Sequence, residues 1–163
     1  MATVKRSKLL HYMNTTPESS ATYNLMNTGI TNLSISKNPT YLEEGYIADE
    51  VGTKVLESLA PEFSFEINVD SADEVSKFLT KLEWEDKTLS DTHTDIITVK
   101  GYGTNSGTDE APIYPAKKYA VSVAVETVGD EALKTLKHSV KCGVRGDAVY
   151  GTFAVVAKTF TPA

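Results

Sequence analysis

Glu62-Phe63-Ser64-Phe65-Glu66-Ile67-Asn68-Val69-Asp70 alternates without a break. Phe63, Phe65, Ile67 and Val69 fall on one side of an extended chain, and Glu62, Ser64, Glu66, Asn68 and Asp70 on the other. Period-2 alternation is the signature of a half-buried strand, because successive side chains of a strand point to opposite faces. A strand with one apolar and one acidic face belongs in an antiparallel sheet that is wet on one side.

The same pattern recurs outward from this segment. Leu33 and Ile35 alternate with Asn32, Ser34 and Ser36, and Ile97 and Val99 with Thr98 and Lys100. Tyr119, Val121, Val123 and Val125 alternate with Lys118, Ala120, Ser122, Ala124 and Glu126. Val140, Cys142 and Val144 alternate with Ser139, Lys141 and Gly143. A last strand is expected from Ala148 to about Phe160, and Val144-Arg145-Gly146-Asp147 reads as a hairpin turn before it. One helix interrupts the strands. Ser71 with Glu74 matches the capping-box spacing, and Val75, Phe78, Leu79 and Leu82 make one apolar stripe. Asp73 is placed to pair with Lys77 across the first turn. Two segments lack periodicity. Lys37–Ser58 is a long polar loop, longer than compact domains ordinarily use, and Gly101–Pro115 is a Gly-, Thr- and Asn-rich connection.

The 163 residues suit a single domain, 1–163, that buries its own core. The formal net charge of −6 disfavours a protein that grips phosphate backbones. A lone cysteine, Cys142, makes no intrachain disulfide. No apolar run approaches the ~20 residues that cross a bilayer, so no membrane partner is expected. No signal-type apolar segment follows Lys5, Arg6 and Lys8, which points to folding in a cytosol.

Candidate chemistry is sparse. Asp91, His93 and Asp95 sit at alternate positions and would share one strand face near a metal, but no second His or Cys cluster completes a site. Gly101, Gly103 and Gly107 have the wrong spacing for a dinucleotide fingerprint, and no helix follows them. Cys142 and His138 are four apart, which on a strand separates them by roughly 13 Å, too far for a thiolate–imidazole pair. Arg145-Gly146-Asp147 is accounted for as a turn. The reading is of no enzyme, no cofactor and no metal, and of a protein that works by binding or assembly.

The segment from Gly29 to Pro39, followed by Glu43-Glu44 and Tyr46-Ile47, resembles the first core strand and long loop of siphophage major tail tube proteins. Gly146-Asp147-Ala148-Val149-Tyr150-Gly151-Thr152-Phe153 and Ala157-Lys158-Thr159-Phe160-Thr161 resemble that family's closing hairpin. Here Ala154-Val155-Val156 replaces the usual acidic turn. The resemblance implies a mainly β fold with one flanking α-helix, an antiparallel sandwich-like or barrel-like subunit. It implies hexameric rings whose subunits contribute strands to a shared inner barrel. The rings stack into a tail tube in the virion, assembled in the host bacterial cytoplasm. The implied partners are further copies of the chain, a tape measure protein, and the tail terminator and distal tail proteins. DNA then passes through the lumen without specific binding.

Glu62, Glu66 and Asp70 are the candidate lumen-facing acids under that resemblance. Tyr41, Glu43, Glu44, Tyr46 and Ile47 are the candidate inter-subunit contacts, on an arm that gains order on contact. Two alternatives stand beside it. One is the tube protein of a contractile tail, tailocin or secretion-like system. The other is a monomeric β-barrel ligand-binding protein.

Overall fold

The computed structural model describes residues 1–163. Eleven strands and one α-helix follow one another along the chain. They begin with β1 (Leu9–Asn14), β2 (Tyr23–Leu25), β3 (Ile30–Ser36), β4 (Thr40–Glu44), β5 (Thr53–Ser58) and β6 (Glu62–Asn68). The helix α1 (Glu74–Trp84) comes next, then β7 (His93–Lys100), β8 (Ile113–Gly129), β9 (Lys137–Val144), β10 (Val149–Ala154) and β11 (Thr159–Pro162). Nine strands form one antiparallel sheet in the order β2-β1-β7-β8-β9-β6-β3, with β10 and β11 added along β8. Strands β4 and β5 form a separate two-stranded sheet.

The sheet curls into a half-barrel because β8 serves two sets of neighbours. It is 17 residues long, which spans about 55 Å at the usual rise. Its first half lies between β7 and β10, with Thr152 opposite Pro115 and Thr98 opposite Lys117. Its second half pairs with β9 from Val121↔Val144 to Gly129↔Lys137. β9 in turn pairs with β6, and β6 with β3.

One face of the sheet holds the main core. Phe63, Phe65 and Ile67 of β6 meet Val140 and Cys142 of β9, Tyr119, Val121 and Val123 of β8, Ile96 of β7 and Met13 of β1. Helix α1 packs against this set through Val75, Leu79 and Leu82, with Phe78 partly buried beside them. Each buried aliphatic side chain of this kind stabilises the fold by about 1.5–3 kcal/mol, so the stripe alone holds the helix in place. Phe63 is wholly buried and meets Tyr119 edge-on at 5.4 Å and His11 at 5.9 Å.

A second, smaller core lies on the other side of β1 and β7. Tyr12, Ile97, Val99 and Ala116 pack there with Tyr23 and Phe153. The Tyr12 and Phe153 rings are 4.5 Å apart. Strands β1 and β7 therefore bury residues on both faces, with His11, Tyr12, Met13 and Asn14 all inside. Neither strand alternates cleanly, for that reason.

Five expectations change. Helix α1 is capped by Asp73, whose Oδ2 accepts the Ser76 N–H at 3.0 Å, and not by Ser71. Lys77 pairs with Glu74 at 2.9 Å rather than with Asp73, whose carboxylate is occupied by the cap. The acidic strand ends at Asn68, so Asp70 lies beyond it. Val144-Arg145-Gly146-Asp147 is not a hairpin turn. β9 and β10 run end to end along the same edge of β8, and Gly146, at φ +78°, lets the chain step between them while Arg145 N–H still bonds Ala120 O at 2.7 Å. The expected last strand from Ala148 to about Phe160 is two strands, because the chain turns back after Ala154 to pair β11 with β10.

Candidate assembly surfaces

Two of the acids singled out in the sequence, Glu62 and Glu66, lie on the wet face of a four-stranded sheet, β3-β6-β9-β8. The register sets Ser34 beside Ser64 and Ser64 beside Lys141, Asn32 beside Glu66 and Glu66 beside Ser139, and Glu62 between Ser36 and Gly143. Ala124 and Ser122 of β8 continue the face next to Lys141 and Gly143. Almost every side chain here is small or polar, since the apolar partners on the same strands point into the core.

Charges on this face balance locally. Lys141 Nζ stands 3.8 Å from Glu62 and 3.7 Å from Glu126. Lys137 reaches Asp130 at 3.5 Å. Pairs this exposed add little stability; they set the sign of the surface. Glu66 has no such partner among the ion pairs of the chain. The structure thus brings Glu62 and Glu66 onto one face. Asp70 is elsewhere: its Oδ1 accepts the Ala72 N–H at 2.8 Å, and it shapes the turn into α1. Lys141, Lys137 and Glu126 were not singled out from the sequence, although the alternation over 137–144 already puts Ser139 and Lys141 on the polar side.

Both borders of this sheet are open. β3 pairs with β6 on one side and with no strand on the other. Beyond Ser122, β8 pairs only with β9, because its pairing with β7 ends at Ser122. Unpaired strand edges present rows of N–H and C=O groups that accept another strand.

The expected polar loop at 37–58 is a β-hairpin. β4 pairs with β5 from Thr40↔Ser58 to Glu44↔Thr53, and Lys54 bonds Glu43 at 2.8 Å. Every residue from Ser36 to Ala60 is exposed. Cross-strand backbone bonds and the Lys54–Glu43 pair hold its two strands together. Tyr41, Glu43 and Glu44 lie on β4, and Tyr46 and Ile47 in its tip. The Asp49 carboxylate closes that tip by accepting the Tyr46 N–H at 3.0 Å.

The remaining chemical candidates separate. Asp91 lies in a short 3-10 turn, His93 and Asp95 lie on β7, and no group of three or more His, Cys, Asp or Glu side chains gathers to hold a metal. Gly101 packs against the backbone of Lys8, where a Cβ would come within 2.7 Å of the Lys8 carbonyl oxygen. Its N–H donates to that carbonyl at 2.8 Å, which closes a turn just before β1. Cys142 is buried, and burial, with Glu62 nearby, pushes its thiol up to about 12. His138 is buried with its Nδ1 unpartnered, and burial holds its pKa below the usual value. A protonated thiol and a neutral imidazole inside a core do not make a nucleophile.

No family model matches the sequence, and no curated protein matches it. Solved structures do match its fold. A chain from "Tail of empty GTA particle computed with helical refinement, C6 symmetry" superposes with a TM-score of 0.64 at 8% identity, covering 91% of this chain and 98% of that one. The "Hybrid structure of the SPP1 tail tube by solid-state NMR and cryo EM" superposes at 0.61 with 10% identity, covering 91% of this chain and 78% of the other. The superpositions show that this chain shares the fold of those two tail structures.

Proposed function

We propose that the chain is a non-enzymatic building block of a phage-type tail tube. Six copies close a ring, and rings stack into a conduit. The observation that carries this reading is the sheet β3-β6-β9-β8, which has one face on the core, one polar face and open borders at both ends. In the ring, β3 of one copy adds to the free half of β8 in the next, around residues 123–129. Closure satisfies both edges at once and leaves none for uncontrolled pairing. The C6 symmetry of one of the tail structures that share this fold supports a ring of six.

The polar face then lines the bore. Glu62, Glu66 and Glu126 outnumber Lys137 and Lys141, which are held by their own acidic partners, and the acid excess repeated around the ring keeps DNA phosphates from adhering. A tape measure protein fills the bore before ejection, and the terminator and distal tail proteins cap its two ends. The protein belongs to the virion, after assembly in the host cytoplasm. The ligand-carrier alternative loses ground because side chains of the sheet and α1 pack together over the apolar face.

Two experiments test the proposal. Size-exclusion chromatography and negative-stain microscopy of concentrated protein should give rings or hollow tubes. A strict monomer at every concentration, with a capping partner supplied, would refute it. Deleting Tyr41 to Glu50 should leave a folded subunit that builds no tubes, since the arm makes no contribution to the core. Normal tubes from the deletion would remove the arm from the assembly.

A further inference from the structure

A cleft of about 590 Å³ opens near the root of the arm, walled by Tyr102, Tyr119 and Tyr150 and by Lys37, Lys100 and Lys117. Each lysine stands over a ring: Lys37 Nζ is 5.6 Å from the Tyr119 centroid, Lys100 5.1 Å from Tyr102, and Lys117 5.2 Å from Tyr150. Lys37 also donates to Tyr119 Oη at 3.2 Å. No Asp or Glu side chain lines the cleft, and none of its three lysines has a carboxylate partner. In a chain of net charge −6 this is a local inversion of sign.

The arm has the opposite character. Between Thr40 and Ser58 it carries Glu43, Glu44, Asp49, Glu50 and Glu57 against the single Lys54. Its tip, between β4 and β5, also exposes Tyr46, Ile47 and Val51. An acidic hairpin tipped with apolar side chains matches a basic cleft walled by tyrosines in both charge and polarity. The arm does not fill the cleft of its own chain: no residue from 38 to 60 lines it. A cleft of this size is within the ordinary range for a binding pocket.

We propose that the arm of one copy docks its tip in the Lys37–Lys100–Lys117 cleft of another copy. This rests on the tail-tube reading and names the contact that joins one subunit to the next through the arm. Tyr46 and Ile47 enter between the tyrosines, and Glu44 and Glu50 meet Lys100 and Lys117. Desolvated charge pairs at the rim of an aromatic anchor fix register and reject wrong partners.

Charge exchange tests it. K100E/K117E should lower the assembled fraction, read by sedimentation and negative-stain microscopy, at least about tenfold, because two attractive pairs become repulsive. Lys117 is half-buried, so K100E alone, at an exposed position, is the second variant, and it should also lower assembly. Adding E44K/E50K to K100E/K117E should restore assembly. Carbodiimide coupling of a wild-type assembly made from mixed 14N and 15N protein should join arm carboxylates to cleft lysines across isotopes. Wild-type levels of assembly in K100E and K100E/K117E, no rescue by the exchange, or cleft lysines coupled to some other segment would overturn the docking and leave the tail-tube reading standing. Failure of the wild-type protein to assemble at all overturns both.

Discussion

Replacing Phe63 and Glu66 separately by alanine interrogates the two faces of β6. Phe63 is fully buried, with Tyr119 and His11 edge-on to its ring. Truncating a buried phenylalanine costs about 3–5 kcal/mol, part in lost transfer energy and part in the cavity left behind. For 163 residues, an unfolding entropy of about 2.1 cal/mol/K per residue comes to about 0.34 kcal/mol/K. Phe63→Ala should therefore lower Tm by about 9–15 °C. Glu66 is three residues along on the wet face, exposed and without an ion-pair partner. Glu66→Ala should change stability by less than about 0.5 kcal/mol, or roughly 1–2 °C. Differential scanning calorimetry of the unassembled subunit measures both. Equal shifts for the two variants, or a Phe63→Ala shift below about 4 °C, would mean that the core does not lie on the Phe63 side, and the bore assignment would fall with it.

The helix start gives a sharper local test. Asp73→Ala should cost about 1 kcal/mol through the lost cap, with Ser71→Ala near zero, and urea midpoints distinguish them. Below pH 6.5 the unassembled subunit should lose stability. Burial, and then Arg6, lowers His11 to about 4, so the unfolded chain binds protons that the folded chain refuses. The His11 contribution is complete above 6.5 and is lost as pH falls toward about 4; His138, lowered by burial, acts in the same direction. His11→Gln should flatten that slope in denaturant titrations, and an unchanged slope would assign it to the carboxylates. At the alkaline end the sign reverses. With the Cys142 thiol raised from 9.0 to about 12, stability is full below 9.0 and falls as pH rises toward 12, and Cys142→Ala should remove that part of the decline.

Residues with a single dry face are legible in the sequence. The alternation at 62–68, 119–125 and 140–144 identifies which side chains make the core, and the spacing of Val75, Phe78, Leu79 and Leu82 identifies the helix stripe. The same alternation puts Glu62 and Glu66 together on a polar face, because a strand's two faces are a local property of its own residues. Strands β1 and β7 are hidden or only half legible because tertiary structure buries them on both sides, which erases the period. The cap falls at Asp73 rather than at Ser71, which the spacing to Glu74 points to; where the chain enters the helix after β6 decides it.

What the sequence determined alone is therefore the composition of each face: apolar inside, small and polar outside, acidic along the arm. What only the tertiary structure decided is which strands meet. The collinear run of β9 and β10 along β8, the folding of 37–58 into a hairpin, the two open borders and the gathering of Lys37, Lys100 and Lys117 around three tyrosines all join residues far apart in the chain. Pairing between distant segments is fixed by the backbone hydrogen bonds and packing of the whole sheet, and no short window of residues carries that information.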